Sequence, residues 1–182
     1  MGCHLVSMTY GLVGPIDSLI ADMQTVHETR PLADGSGRAK VENEDTATAL
    51  VRFANGAQGS ISTSRSAWGR KNRLAWEVHG TKGMLCFDQE RLNELQLYRN
   101  EGPTAKQGFT TILTGPEHPP YGNFCPAPGH QLGFNDLKVI EAAALLRAIR
   151  DNHAAYPGFD DAFEFEKVIH AVALSAREER RV

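Results

Sequence analysis

Three cysteines in 182 residues, Cys3, Cys86 and Cys125, are too few and too widely spaced for a disulfide framework or a zinc knuckle. Both of those need close pairs. Reduced thiols in the cytoplasm are the simplest reading, with each cysteine a small buried hydrophobe. An excess of basic residues is also lacking. Nineteen lysines and arginines against 22 aspartates and glutamates leave a net charge of −3, so no nucleic-acid partner is expected. The longest apolar run, around Ala142–Leu146, is far too short to cross a bilayer. The N-terminus lacks the basic-then-apolar order of a signal peptide, so neither membrane nor export is expected. A Gly-x-Gly-x-x-Gly turn between strand and helix is missing too. Gly35-Ser36-Gly37 lacks the third glycine and stands among polar residues.

The composition that is present, 41% hydrophobic and 23% charged, is ordinary for one soluble globular domain spanning residues 1–182. A chain of this length buries roughly two thirds of its unfolded surface and needs no staples. Gly2–Leu12 reads as a helix ended by Gly14-Pro15. Ile16–Thr29 reads as a strand, although its spacing also allows a helix, and Pro31–Glu44 as an exposed loop. Thr46–Phe53 alternates, with Ala47, Ala49, Val51 and Phe53 on one face. Asn55-Gly56 then offers the positive φ angles of a tight hairpin, and Gln58–Ser64 returns beside it. Leu74, Trp76 and Val78 alternate again, Gly80-Thr81-Lys82-Gly83 turns the chain into Met84–Phe87, and Leu95, Leu97 and Tyr98 mark another strand.

Gly102–Gly133 is rich in proline and glycine and is expected to be irregular and functional or disordered. Asn135 or Asp136 could cap a helix running to Arg150 with Val139, Ile140, Ala143, Leu146 and Ile149 on one stripe. Pro157-Gly158 breaks it, and a last helix near Asp161–Glu179 would bury Phe165, Val168, Ile169, Val172 and Ala176. The expected class is α+β: an open, mainly antiparallel sheet of at least six strands with helices packed on one face. Its other face is left to water or to another copy, which predicts a dimer or tetramer.

Several segments carry a family likeness. Gly2-Cys3-His4 near a helix start, the Asn55-Gly56 hairpin, Trp76 through Gly83, Phe87-Asp88, Asn93-Glu94-Leu95 and Asp160-Asp161-Ala162 … Ser175-Ala176 occur in the right order along nearly the whole chain. Together they resemble the C-terminal domain of the glucose–fructose oxidoreductase/inositol dehydrogenase (Gfo/Idh/MocA) family. The resemblance implies a substrate-binding and oligomerising domain of an NAD- or NADP-dependent dehydrogenase of a sugar or polyol. Such enzymes carry a separate dinucleotide-binding Rossmann half, which this sequence does not contain. The family's Asp-x-Gly-x-His signature would place Met1-Gly2-Cys3-His4 on its last four positions, with the aspartate falling before Met1 and Ser7 where a second acid is common. By that match His4 is the catalytic base; histidine suits the work because its ordinary pKa lies near neutrality. The family's Glu-Lys-Pro motif is absent.

From the residues alone, His130, Asn135 and Asp136 are candidates for contacting a polyol, which needs hydrogen-bonding side chains held at fixed positions; Asn135 and Asp136 are equally suited to capping the helix. No cofactor or metal is expected within this chain, and without one it should not turn over alone. The other expectation is a stand-alone sugar-binding or oligomeric scaffold that has lost the cofactor half.

Overall fold

The computed structural model describes residues 2–182 and resolves them into two compact units: the residues up to Gly69 together with Tyr156–Val182, and Arg70–Ala155. Class and strand direction are as expected: α+β, with every strand pairing antiparallel.

In the first unit, helix α1 (Gly2–Leu12) leads into strands β1 (Ile16–Gln24), β4 (Thr46–Phe53) and β5 (Gln58–Ser64), ordered β1-β4-β5. Alternation along β4 points Ala49, Val51 and Phe53 to one face, where Leu19 of β1 joins them. Helices α1 and α3 (Phe159–Glu178) cover that face with Val6, Phe165 and Val168. Tyr10 meets Phe165 edge-on at 5.2 Å. Burying each large aliphatic side chain of this kind contributes about 1.5–3 kcal/mol. The α3 face lies as its periodicity predicts.

The free edge of β1 is closed by the chain's own end. Leu19 and Val182 exchange two backbone hydrogen bonds, of 2.8 and 2.9 Å. The fully buried Ser175 hydroxyl accepts from the Ala21 N–H and donates to the Arg180 carbonyl. A pairing edge is thereby withdrawn from other chains.

In the second unit, β6 (Ala75–Gly80), β7 (Gly83–Asp88), β8 (Glu94–Arg99) and β9 (Phe109–Leu113) form a meander in chain order. Trp76 faces Phe87 across the first pair and stacks on it at 5.8 Å. A side chain at Gly83 would collide with the Tyr98 carbonyl, so only glycine fits there. Helix α2 (Phe134–Arg150) follows the irregular stretch.

The structure corrects several expectations. The stretch 31–44 is not all loop: β2 (Thr29–Pro31) and β3 (Arg38–Lys40) pair as a small hairpin, and β1 ends at Gln24. The six expected strands become nine, in three sheets: β2 and β3 add two, and β9 forms inside the stretch expected to be irregular. At the β4–β5 turn only Gly56 takes a positive φ, 88°. There the Gly56 N–H donates to Phe53 O and the Phe53 N–H to Ala57 O, a three-residue turn ending in a glycine bulge rather than a two-residue one. The N-cap position of α2 is Gly133 rather than Asn135 or Asp136, and Asp136, three residues on, supplies the capping bond to its N–H. The expected apolar stripe of α2 is only partly covered: Ile140 and Ala143 are half-buried, whereas Val139, Leu146 and Ile149 are exposed. Cys125 is buried, but Cys3 is exposed on the first turn of α1.

Candidate functional site

Two surfaces carry the candidate residues, one in each unit. The first is the start of α1. Gly2, Val6 and Tyr10 share one helical face, and Val6 and Tyr10 pack into the core. A side chain at Gly2 would come within 3.1 Å of Ile169 Cδ1, so glycine permits the close approach of α1 to α3. That packing turns Cys3 and His4 outward, and both are exposed. His4 thus sits on a rigid helix with its imidazole facing solvent. Met1 of the signature lies outside the described residues. Beside this turn is a cavity of about 360 Å³, lined by Gly2, Cys3 and Val6 of α1, Ile61 and Thr63 of β5, and Glu166 of α3 among others. Its walls join an apolar floor to a few polar groups, but His4 is not among its lining residues.

The second surface is Gly129–Asp136, and Asn93 fixes it. The Asn93 side chain donates to Leu132 O at 2.9 Å, and its Oδ1 accepts from Leu132 N at 2.8 Å and from the Thr114 hydroxyl at 2.6 Å. Leu132 and Cys125 are buried on either side of His130 in the chain. His130 itself is exposed, with Nδ1 at 3.0 Å from Ala127 O, which leaves Nε2 free for a ligand. At the start of α2, Asp136 Oδ2 accepts from the Gly133 N–H at 2.7 Å. Gly133 has no side chain to return the bond, so the aspartate carries the cap alone. Its Oδ1 remains available, and Asn135 is exposed beside it. His130, Asn135 and Asp136 are thus gathered on one short anchored segment, while His4 belongs to the other unit.

Asn93 escaped the sequence reading as a site-positioning residue. Its only signal is an asparagine at the turn between two apolar strands, where a side chain able to donate and accept can replace a missing strand partner. A second pattern also went unread. Gly133-Phe134-Asn135-Asp136 and Gly158-Phe159-Asp160-Asp161 begin α2 and α3 in the same way, with Asp161 Oδ2 accepting from Gly158 N at 2.7 Å. Among the described residues no three His, Cys, Asp or Glu side chains cluster to hold a metal ion, and no helix is long and apolar enough to cross a membrane.

Residues 1–86 match the model of the GFO/IDH/MocA C-terminal domain. Those first 86 residues carry the sequence pattern of a GFO/IDH/MocA C-terminal domain. Levoglucosan dehydrogenase of Pseudarthrobacter phenanthrenivorans is 33% identical over 188 residues, covering 97% of this chain and 48% of that protein. The solved complex of levoglucosan dehydrogenase with NADH and L-sorbose is 34% identical with a TM-score of 0.95, covering all of this chain and 48% of its own. An NAD binding oxidoreductase from Klebsiella pneumoniae is 38% identical with a TM-score of 0.93, again over all of this chain and 48% of its own. The chain therefore spans about half the length of the relatives it matches. At the starts of α2 and α3 an aspartate carboxylate accepts from the N-cap N–H.

Proposed function

We propose that this chain is the substrate-binding half of an NAD-dependent dehydrogenase acting on a sugar or polyol, with His4 as the base that takes the hydroxyl proton. The observation that carries the reading is the likeness of the whole chain, at a TM-score of 0.95, to half of a levoglucosan dehydrogenase that holds NADH and L-sorbose. The dinucleotide would be held by the other half. What this chain supplies is orientation and proton transfer. An imidazole on a rigid helix is suited to accept a proton as an alcohol is oxidised, an effect of about 10²–10⁴-fold in rate. In the second unit, His130 Nε2, the Asn135 amide and Asp136 Oδ1 are free hydrogen-bonding groups suited to polyol hydroxyls. A cytoplasmic setting and a dimer or tetramer formed through the sheet's outer face belong to the same reading. Free cysteines support the first, and Ile20 lying opposite an exposed Leu50 on that face supports the second.

The test joins the unmatched half of levoglucosan dehydrogenase to the complete chain. Such a fusion should bind NADH and reduce NAD with at least one of levoglucosan, L-sorbose or a panel of sugars and inositols. The unfused chain should do neither. His4→Ala should lower kcat in the fusion by about 100-fold or more while sparing NADH binding. A fusion that binds NADH but stays inert on the panel sinks the dehydrogenase reading; sugar binding without turnover would point to a scaffold instead.

A further inference from the structure

The open end of the β2–β3 hairpin collects positive charge around a cavity. Pairing of Thr29 with Lys40 closes that end, so Arg30 and Lys40 both lie near it. The Arg65 N–H donates to Asp45 O at 2.8 Å, which brings the residue after β5 to the same place. Arg30, Lys40 and Arg65 line a cavity of about 430 Å³ together with Glu42, Asn43 and Asp45. All of these residues belong to the first unit. The charge on Asp45 is already answered. Arg30 Nη2 pairs with it at 2.6 Å, and the Val26 and His27 N–H groups donate to it. The other N–H groups of the Arg30 guanidinium remain free. Among the described residues, Lys40, Arg65 and Glu42 have no ion-pair partner at all. A concave wall carrying cations that nothing neutralises focuses their field into the cleft and concentrates anions there.

We infer that this cavity binds a small hydroxylated oxyanion, of the class of a sugar phosphate or a sugar acid. The head is a phosphate or a carboxylate, because guanidinium and ammonium donors match both. The body carries hydroxyls, because the rest of the wall accepts hydrogen bonds. Glu42 is exposed and unpaired, and Asn43 gives its amide N–H to Glu44 O and keeps its Oδ1 free. An apolar body would find only Val41 to pack on. The volume suits one sugar ring with its head group. A long polyanion does not fit, since the Glu42 carboxylate on the wall repels it. The inference goes beyond the dehydrogenase reading and does not depend on it.

The test is a titration of the complete, isotopically labelled chain at constant ionic strength, read from the amide chemical shifts of Lys40–Asp45 and Arg65. The probes are glucose-6-phosphate and glucuronate, with inorganic phosphate as the head alone and glucose as the body alone. At least one charged sugar should give saturable shifts with a Kd of about 1 mM or below. Inorganic phosphate should bind more weakly and glucose should not bind. The tighter of the two charged sugars identifies the head group as phosphate or carboxylate. Lys40→Gln and Arg65→Gln should each weaken that binding by about ten-fold, since each removes a charged donor. Both side chains are exposed and unpaired, so the fold does not rest on them. Arg38→Gln is the control. It removes the same charge from the same hairpin, but Arg38 bonds to Thr29 and does not line the cavity. Its Kd should stay within about two-fold of the parent's, because solvent screens a charge outside the site. The absence of saturable shifts with either charged sugar overturns the inference. So does an equal loss in the Arg38 variant, which would reduce the site to a general basic field, and so does glucose binding as tightly as the charged sugars.

Discussion

Asn93 illustrates how one side chain sets the geometry of a segment forty residues away. Its amide and carbonyl complete both backbone groups of Leu132, as a neighbouring strand would, and the Thr114 hydroxyl adds a third bond. Leu132 is buried, so water cannot replace those partners. Asn93→Ala would strand a buried N–H and a buried carbonyl, a loss of about 2–3 kcal/mol. Urea denaturation should show that loss as a lower midpoint. Asn93→Asp keeps the acceptor and drops the donor, so its midpoint should fall between the two. Because Leu132 leads into the cap of α2, the alanine variant should also broaden the amide resonances of Gly129–Asp136. A variant as stable as the parent would show that the segment is held by burial of Leu132 alone.

Among the elements, those with strong patterning were legible and those built on side chain to main chain bonds were not. Thr46–Phe53 was readable to the residue because it alternates between a buried and a wet face, and Gln58–Ser64 as the strand returning from its hairpin turn. The β2–β3 hairpin has no such contrast, since all six of its strand residues are exposed. Asp45 holds that hairpin from below. Its carboxylate, 2% exposed, accepts from the backbone N–H groups of Val26 and His27 and pairs with Arg30 at 2.6 Å. Strand β9 was hidden by the prolines and glycines around it, and the α2 cap by falling on a glycine that has no side chain to signal it. For the site, the segment holding His130, Asn135 and Asp136 was legible as polar and loop-borne, whereas Asn93 was not, because its work depends on a partner thirty-nine residues away. The Asp45 arrangement has a consequence for pH. The His27 N–H above all, then Arg30 and the Val26 N–H, hold the Asp45 carboxyl below its ordinary value of 3.8. A depressed carboxyl contributes stability that is present above the ordinary value and is lost as pH falls through it toward the folded one. Asp45→Asn should therefore be less stable at pH 7 and lose less stability between pH 6 and pH 3. The slope shrinks without vanishing, because Asp34, Asp88, Glu141 and Asp151 are held low as well. Denaturant midpoints across that range measure it, and parallel slopes for variant and parent would contradict the assignment.

At the scale of the whole chain the two units are stabilised unequally. Strand β4 lies between two partners and beneath two helices, with Ala49, Val51 and Phe53 in the core. Helix α2 is tied down at its start by Asp136 and Leu132 but leaves Val139, Leu146 and Ile149 to water. An isolated helix of this length is marginal in water, and packing on one narrow stripe adds little. Proteins open locally in proportion to how little apolar surface each segment buries. Hydrogen exchange of the free chain should then divide along these lines. Amides of Thr46–Phe53 should be the slowest, exchanging only through opening of their whole unit. Those of α2 should exchange faster by on the order of ten-fold or more, fastest toward Arg150, where no cap bond from a side chain holds the end. Were α2 already as protected as β4 in the free chain, the helix would be held by its start and its half-buried side alone, and its exposed side chains would cost it no stability.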